Sequence, residues 1–397
     1  MEKWKIRTGT IHHSFYGLCC FFWFAQYVYV PYQTTYLLLA HISSNLVGTI
    51  IGAYGISQLV LRLPVGILAD LSSNHKLFII LGSFFAGAAS LFRILLPDDI
   101  GFLIANILSG TASATWISFM ILYMSFFTKG DQTRATSKII MANNSGMLLG
   151  FVTSTFLYDI VGMMVICAFS LGAGLIACVL SFFLHATKPS IQPKIGVIEL
   201  LQVIKDKNLL LYSCLALVQQ GVQMATTMSF TNQIIQDLGA TNMVIGFSSI
   251  IYMLSAVLFA KLASTRFLEL LTKKQWIYSS FLLLGIYCLM VPQTGSIFIV
   301  CFLQLIPGMG TGILFSLLNS EAIKSIPQQK RSTAMGFFQA IYALGMTTFP
   351  IISGSIYEHL SMKAAFLFLA GTCFIAFSVS LIYSRKEESR SLKKKVS

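Results

Sequence analysis

An all-α membrane protein of twelve spanning helices, arranged as two six-helix pseudo-repeats with both chain ends in the cytoplasm, is the fold this sequence predicts. Composition, the placement of cations and internal repetition carry that expectation. Of 397 residues, 56% are hydrophobic and only 10% are charged, against about 25% charged in a soluble domain. That excludes a soluble enzyme. Of the 27 Lys and Arg residues, all but Arg62, Arg93 and Lys363 fall on one side of the predicted spans. Cations gather on the cytoplasmic side of membrane proteins, which puts both termini and the central loop there. The net charge of +13 therefore sets orientation and touches anionic lipid; it does not point to nucleic acid. Short patterns also recur half a chain apart. Gly110 in span 4 answers to Gly308 in span 10, and Arg134-Ala135-Thr136 to Arg331-Ser332-Thr333 at an offset smaller by one. A looser match pairs Ile67-Leu68-Ala69 with Lys261-Leu262-Ala263. A near-constant offset is what two parallel repeats produce.

Taken in order, the apolar runs place spans near 14–39, 45–69, 77–96, 100–127, 135–158 and 162–185. A second set follows near 209–236, 243–263, 275–292, 296–322, 332–356 and 364–384. Each is long enough to cross about 30 Å of hydrocarbon. Residues before the first span carry no small-residue cleavage site, so no removable signal peptide is expected. The domains expected are a bundle over 1–185, a cytoplasmic linker over 186–208, a second bundle over 209–384 and a basic tail over 385–397. Within the linker, Ile198, Leu201 and Ile204 could line one face of a short interfacial helix. All eight cysteines lie in apolar runs. They read as small buried hydrophobes, and neither a metal nor a cofactor is expected.

Polar side chains inside a membrane are costly, so their positions carry the functional information. Span 1 bears Gln26, Tyr29, Gln33 and Tyr36 at spacings of 3, 4 and 3, which share one helical face. Span 7 repeats this with Gln219, Gln223, Thr226 and Phe230. Gln339, Tyr342 and Met346 follow in span 11, and Gln58, Asn143, Asn144, Tyr252 and Gln304 come from spans 2, 5, 8 and 10. Two readings stay open, a solute cavity and interhelical glue. The acids fall in loops, tails or helix ends, with Glu321 nearest the core. A neutral, aromatic, amide-rich pocket is therefore expected, suited to a polar or zwitterionic solute. Two cations lie within spans. Arg93 is expected to snorkel toward Asp98 and Asp99, whereas Arg62 could bind an anionic group, join an inner gate or snorkel. No catalytic arrangement of Ser, His and Asp or of Cys and His occurs at one membrane depth, so the protein is not expected to be an enzyme.

Between spans 2 and 3 stands Gly66-Ile67-Leu68-Ala69-Asp70, followed by polar residues, His75 and Lys76. This G-x-L-A-D hinge resembles the loop between helices 2 and 3 of major facilitator superfamily transporters, although Ser73 and Asn74 replace that family's second Gly and Arg. The resemblance implies alternating access, with Gly66 and Asp70 of the hinge in gating; Arg62, Lys76, Arg134 and Arg331 are the cations expected at that gate, and the polar positions Gln26, Tyr29, Gln33, Tyr36, Gln58, Asn143, Gln219, Gln223, Tyr252, Gln304, Gln339 and Tyr342 are those expected to face the solute. Family exporters carry R-x-x-Q-G in helix 4, where this chain reads Asn106-Ile107-Leu108-Ser109-Gly110. They carry G-P-x-x-G-G in helix 5, where Gly146 and Gly150 keep only the glycine spacing. The resemblance implies a monomer in a bacterial cytoplasmic membrane, exporting a drug-like molecule or a polar metabolite such as a metallophore. A proton gradient would drive it. A proton-linked nutrient importer and a lipid flippase are the alternatives.

Overall fold

The computed structural model describes the backbone of residues 2–42, 44–184 and 196–396, and side chains at all of these except 2–12, 34–35, 38, 44–45, 48, 129, 242 and 387–396. Residues 186–195 of the expected linker, with Pro189 and Pro193, lie outside the described residues. Every regular element among the described residues is helical: α1 Glu2–Tyr27, α2 Val30–Leu39, α3 Ser44–Ser72, α4 His75–Leu95, α5 Asp99–Ala114, α6 Trp116–Ser125, α7 Gln132–Phe182, α8 Val197–Leu201, α9 Lys207–Ala225, α10 Thr231–Asp237, α11 Asn242–Leu262, α12 Lys273–Met290, α13 Ile297–Leu303, α14 Leu305–Met309, α15 Phe315–Ala322, α16 Arg331–His359 and α17 Met362–Val396. Among the described residues, 10 helical runs are long and apolar enough to cross a membrane. Their outer faces are apolar: Leu81, Phe84 and Leu91 on α4, and Leu367, Ile375 and Ile382 on α17, are exposed. Such faces suit lipid contact.

The runs are not uniform, and each interruption has a local cause. α7 is long enough for two bilayer crossings, with 51 residues. Gly162, at φ 74 and ψ 173, breaks it; that backbone region is open essentially to glycine alone. The first run is interrupted at Val28 and Tyr29, and α2 restarts with Pro31 in its first turn, where a missing N–H costs nothing. Thr115 separates α5 from α6 and turns its hydroxyl onto the Ala112 carbonyl at 2.7 Å. Between α9 and α10, Thr226–Phe230 forms a π-helical turn, and Gly310–Leu314 forms another between α14 and α15. Thr226 and Thr227 donate to the carbonyls of Val222 at 2.7 Å and Gln223 at 2.8 Å, satisfying oxygens that the wider turn would otherwise leave bare.

These interruptions recur at the same offset as the sequence patterns. Shifted as Arg134 is to Arg331, Thr115 falls inside the Gly310–Leu314 turn, and Tyr29 falls on the first residue of the Thr226–Phe230 turn. Packing follows suit. A methyl at Gly110 would lie 2.6 Å from the Tyr54 carbonyl oxygen, and one at Gly308 would lie 2.8 Å from that of Tyr252, the repeat counterpart of Tyr54. Small residues at both places let α5 meet α3 and α14 meet α11 with backbones in near contact.

Helices before residue 183 pack as one group, with α7 against α1 and α4, and α5 against α3 and α4. Helices after residue 206 pack as another, with α16 against α9, α12 against α17, and α11 against α14. The groups meet along α3 with α16 and α7 with α11. Helix direction alternates, so the turns at 73–74, 126–131, 263–272 and 323–330 share one end, the Asp70 end. The turns at 40–42, 96–98, 238–241 and 294–296 share the other, the Asp98 end. On short α8, Ile198 is 81% exposed while Leu200 is buried. Glu199 of α8 pairs with Lys330 at 2.9 Å, tying this segment to the Asp70 end.

Candidate functional site

Three polar clusters occupy the interior. In the first, Arg93 of α4 is wholly buried and donates to Asn106 Oδ1 at 2.8 Å, Ser109 Oγ at 3.0 Å and Ser90 Oγ at 3.2 Å. Its guanidinium lies 3.7 Å from the centroid of the Tyr29 ring. Gln26 donates to the Ser109 carbonyl at 3.1 Å, and the Tyr29 and Ser109 hydroxyls are 3.3 Å apart. Arg93 therefore does not snorkel to Asp98 and Asp99. Three acceptors on α4 and α5, with the ring face of Tyr29, hold its fork inside. A stem reaching to the surface would give up all of these contacts.

The second cluster joins the two groups of helices. Arg62 of α3 donates to the Gln339 backbone carbonyl of α16 at 2.8 Å and to Gln58 Oε1, and stacks 4.6 Å from the Tyr342 ring centroid. Phe315 and Phe338 meet Tyr342 edge-on. Arg62 is 3% exposed, so it does not snorkel to the surface either. Two buried guanidiniums thus stand among the amides and phenols of the interior.

The third cluster lies in the second group. Gln219 donates to Gln223 Oε1 at 3.2 Å, Gln223 donates to the Tyr252 hydroxyl, and Tyr252 meets the Thr311 hydroxyl at 2.9 Å. Both π-helical turns adjoin this hub, through Thr227 and Thr311. Tyr287 of α12 bridges the Thr231 hydroxyl at 2.9 Å and Gln304 Oε1 at 3.3 Å, and Gln304 donates to Ser248 at 3.1 Å. The first group repeats this arrangement at the offset that separates Gly110 from Gly308. Tyr54 meets Ser113 at 2.9 Å as Tyr252 meets Thr311, and Asn106 donates to the Ile50 carbonyl at 2.7 Å as Gln304 donates to Ser248.

Not every expected residue joins a cluster. The break at Val28 and Tyr29 splits the stripe on the first run, so Tyr36 sits at the Asp98 end, stacked on Phe102 with its hydroxyl 3.5 Å from the Pro97 carbonyl. Gln33 is buried, with Nε2 lacking a partner among the described residues, and Asn143 is half-buried with Oδ1 in the same condition. Residues that the sequence pattern did not single out include Arg93 as a core group, Tyr54, Ser109, Ser113, Tyr287 and Thr311. The repeat offset applied to Tyr252 would have found Tyr54.

The Asp70 end is closed by direct contacts. The Asp70 carboxylate accepts from the Ser332 amide at 3.0 Å, the Thr333 amide at 2.7 Å and the Thr333 hydroxyl at 2.7 Å. A carboxylate on a helix N-terminus satisfies orphan N–H groups and faces the positive end of the helix dipole. Gly66 lets α3 reach α16, since a methyl there would lie 2.5 Å from the Ser332 carbonyl oxygen. Beside it, Arg331 donates to Gln132 at 3.3 Å, Thr133 donates to Ser320 at 3.1 Å, and Lys273 reaches Thr133 at 2.6 Å and Glu321 at 3.0 Å. Lys76 instead donates to the Phe182 carbonyl within the first group at 2.7 Å, and Arg134 is exposed. Neither touches the Asp70 latch.

Comparison with known proteins agrees with this architecture. The family model described as the Major Facilitator Superfamily matches residues 15–235 and again residues 214–397. An uncharacterised transporter of that type from Methanocaldococcus jannaschii is 24% identical over 341 residues, covering 82% of this chain and 85% of that protein. The crystal structure of the human organic anion transporter MFSD10 superposes with a TM-score of 0.77, covering 93% of this chain and 98% of that one. At 14% identity this likeness carries the fold alone.

Proposed function

Because the chain belongs to the major facilitator superfamily and is a multi-pass membrane transporter rather than an enzyme, we propose that it moves a small solute by alternating access between two six-helix bundles. The bundles would span 1–185 and 209–384, joined by the linker over 186–208 and followed by the tail over 385–397. Twelve spans follow when the two segments before residue 40 count as one crossing and α7 as two, divided at Gly162. The distribution of Lys and Arg supports placing the Asp70 end, with both termini, in the cytoplasm. On that orientation the present conformation is closed inward.

The observation that carries this reading is the Asp70 carboxylate on the N-terminus of α16. The hydrogen bonds it makes between the bundles must break for the solute to exit or enter on that side, while the contacts within each bundle need not change. The interior clusters supply the candidate solute site: Gln26 and Tyr29; Gln58, Arg62, Gln339 and Tyr342; and Gln219, Gln223, Tyr252 and Gln304. Export is the proposed direction, on the likeness of residues 66–150 to family exporters, and a proton gradient the proposed drive. Each charge moved across 100 mV is worth about 2.3 kcal/mol.

Metabolite profiles of medium and cytoplasm, taken from cells with and without the gene, test the proposal. A compound lost from the medium and accumulated inside the deletion strain supports export. Accumulation only in the medium would reverse the direction, and identical profiles with no flux in proteoliposomes would overturn transport.

A further inference from the structure

Two guanidinium groups sit inside a membrane-spanning bundle, and among the described residues neither makes an ion pair with a carboxylate; the ion pairs described lie at the Asp70 end, on Glu321 and Glu199. A charge within a spanning segment is costly unless compensated. In both arginines Nε is buried without a partner, so the difference between them lies in the outer nitrogens. Those of Arg93 donate to three side chains, Ser90, Asn106 and Ser109, under the Tyr29 face. All four belong to one bundle, so these contacts need not change when the bundles part.

Arg62 is held differently. Its partners are one amide side chain, Gln58, the Tyr342 phenol and one backbone carbonyl, Gln339, inside the long helix α16. It bridges α3 and α16, the pair of helices that the Asp70 latch also joins, so its surroundings change whenever that contact opens. One face of the guanidinium is covered by Tyr342, itself flanked by Phe315 and Phe338. What this group lacks is negative charge in a planar, two-oxygen form, the arrangement that an arginine fork binds most strongly.

We propose that the transported solute carries an anionic group, a carboxylate, sulfonate or phosphate, that docks on Arg62 between Gln58 and Tyr342; this rests on the transporter reading above. The anion takes the place of the Gln339 carbonyl on the guanidinium. Beside it stand the rings of Tyr342, Phe315 and Phe338, buried while the contact between the bundles is closed, so the solute class that would suit both is an amphiphilic organic anion. Loading the site would then exchange a contact between bundles for a contact with solute.

Equilibrium binding to the full-length protein in phosphatidylcholine nanodiscs tests this with three probes on one skeleton: 1-naphthoate, 1-naphthamide and 1-naphthylmethylammonium. The naphthoate is expected to bind at least tenfold more tightly than the amide, and the ammonium most weakly. Arg62→Gln should abolish the preference and Arg62→Lys should keep part of it, with both variants eluting as the wild type does. If Arg62→Gln fails to fold, the wild-type ranking and the Lys variant still decide. Equal affinities, a preference for the cation, no binding of any probe, or an undiminished preference in Arg62→Gln would each overturn the proposal. Repeating the titration with phosphatidylglycerol in the nanodisc separates a solute from a lipid headgroup. Unchanged naphthoate affinity supports a soluble anion, and loss by competition would overturn it. Flux in proteoliposomes is read separately: binding without flux leaves the anion site standing and removes the transporter, whereas flux with no anion preference does the reverse.

Discussion

Set side by side, the two bundles solve one packing problem with different chemistry. In the first, Arg93 on α4 ties Tyr29 on the first run to Asn106 and Ser109 on α5. In the second, Tyr287 on α12 ties Thr231 on α10 to Gln304 at the end of α13. Asn106 and Gln304 are equivalent positions of the repeat, and so are Tyr54 and Tyr252, Ser113 and Thr311, and Ile50 and Ser248. A neutral phenol thus suffices to hold this corner of the fold. The charge in the first bundle is not something packing demands, and the same holds for Arg62, whose repeat counterpart Ala260 is a small buried residue.

Replacing Arg93 with Met breaks the comparison most severely. Ser90, Asn106 and Ser109 would lose their shared donor in a dry interior, and we expect a stability loss of about 3 kcal/mol or more, read as a lower melting temperature in detergent. A loss no larger than that of the neutral corner would mean the charge adds nothing to the cluster. Gly110→Ala and Gly308→Ala sharpen the symmetry instead. Each added methyl meets a backbone carbonyl, and each should cost about 1–3 kcal/mol. Effects differing by more than about 1 kcal/mol between the two would weaken the equivalence of the bundles. Smallest is Tyr287→Phe, which removes one hydroxyl from a bridge of two hydrogen bonds and should cost about 1–2 kcal/mol.

Helical runs were legible because apolar run length decides them: 10 runs among the described residues are long and apolar enough to cross a membrane, and the turn expected between 158 and 162 sits at Gly162. The breaks were legible only in part. Pro31 marks the first, but Thr115 ends a stretch of small residues from Ser109 with no Pro or Gly beside it, and a π-helical turn has no signature beyond its Thr pair or its glycines. Within the site, Gln58, Arg62 and Tyr342 come together on the backbone carbonyl of Gln339, whose side-chain amide turns instead to Met120, and Gln219, Gln223 and Tyr252 come together as well. Helical spacing alone could not show that Tyr36 lies at the far end, because the stripe is broken before reaching it. Arg93 misled for a physical reason. Asp98 and Asp99 are near it in sequence, yet they stand at the start of α5, where Asp98 caps the helix by accepting from the Gly101 amide at 2.8 Å. The buried amide and hydroxyls that capture the arginine come from within the bundle instead.

On the proposed function, the bundles rock about a gate latched by Asp70. Pulsed electron spin distances in proteoliposomes test it most directly, with label pairs at Ser73 and Gln328 on the Asp70 end and at Ala40 and Asp237 on the other, all exposed positions. Asp70→Asn removes the charge facing the helix dipole and one acceptor, worth about 1–2 kcal/mol, so a roughly tenfold shift in population is expected. The Ser73 to Gln328 distance is expected to lengthen in this variant while the Ala40 to Asp237 distance shortens. Both distances unchanged, or both moving in the same sense, would contradict it.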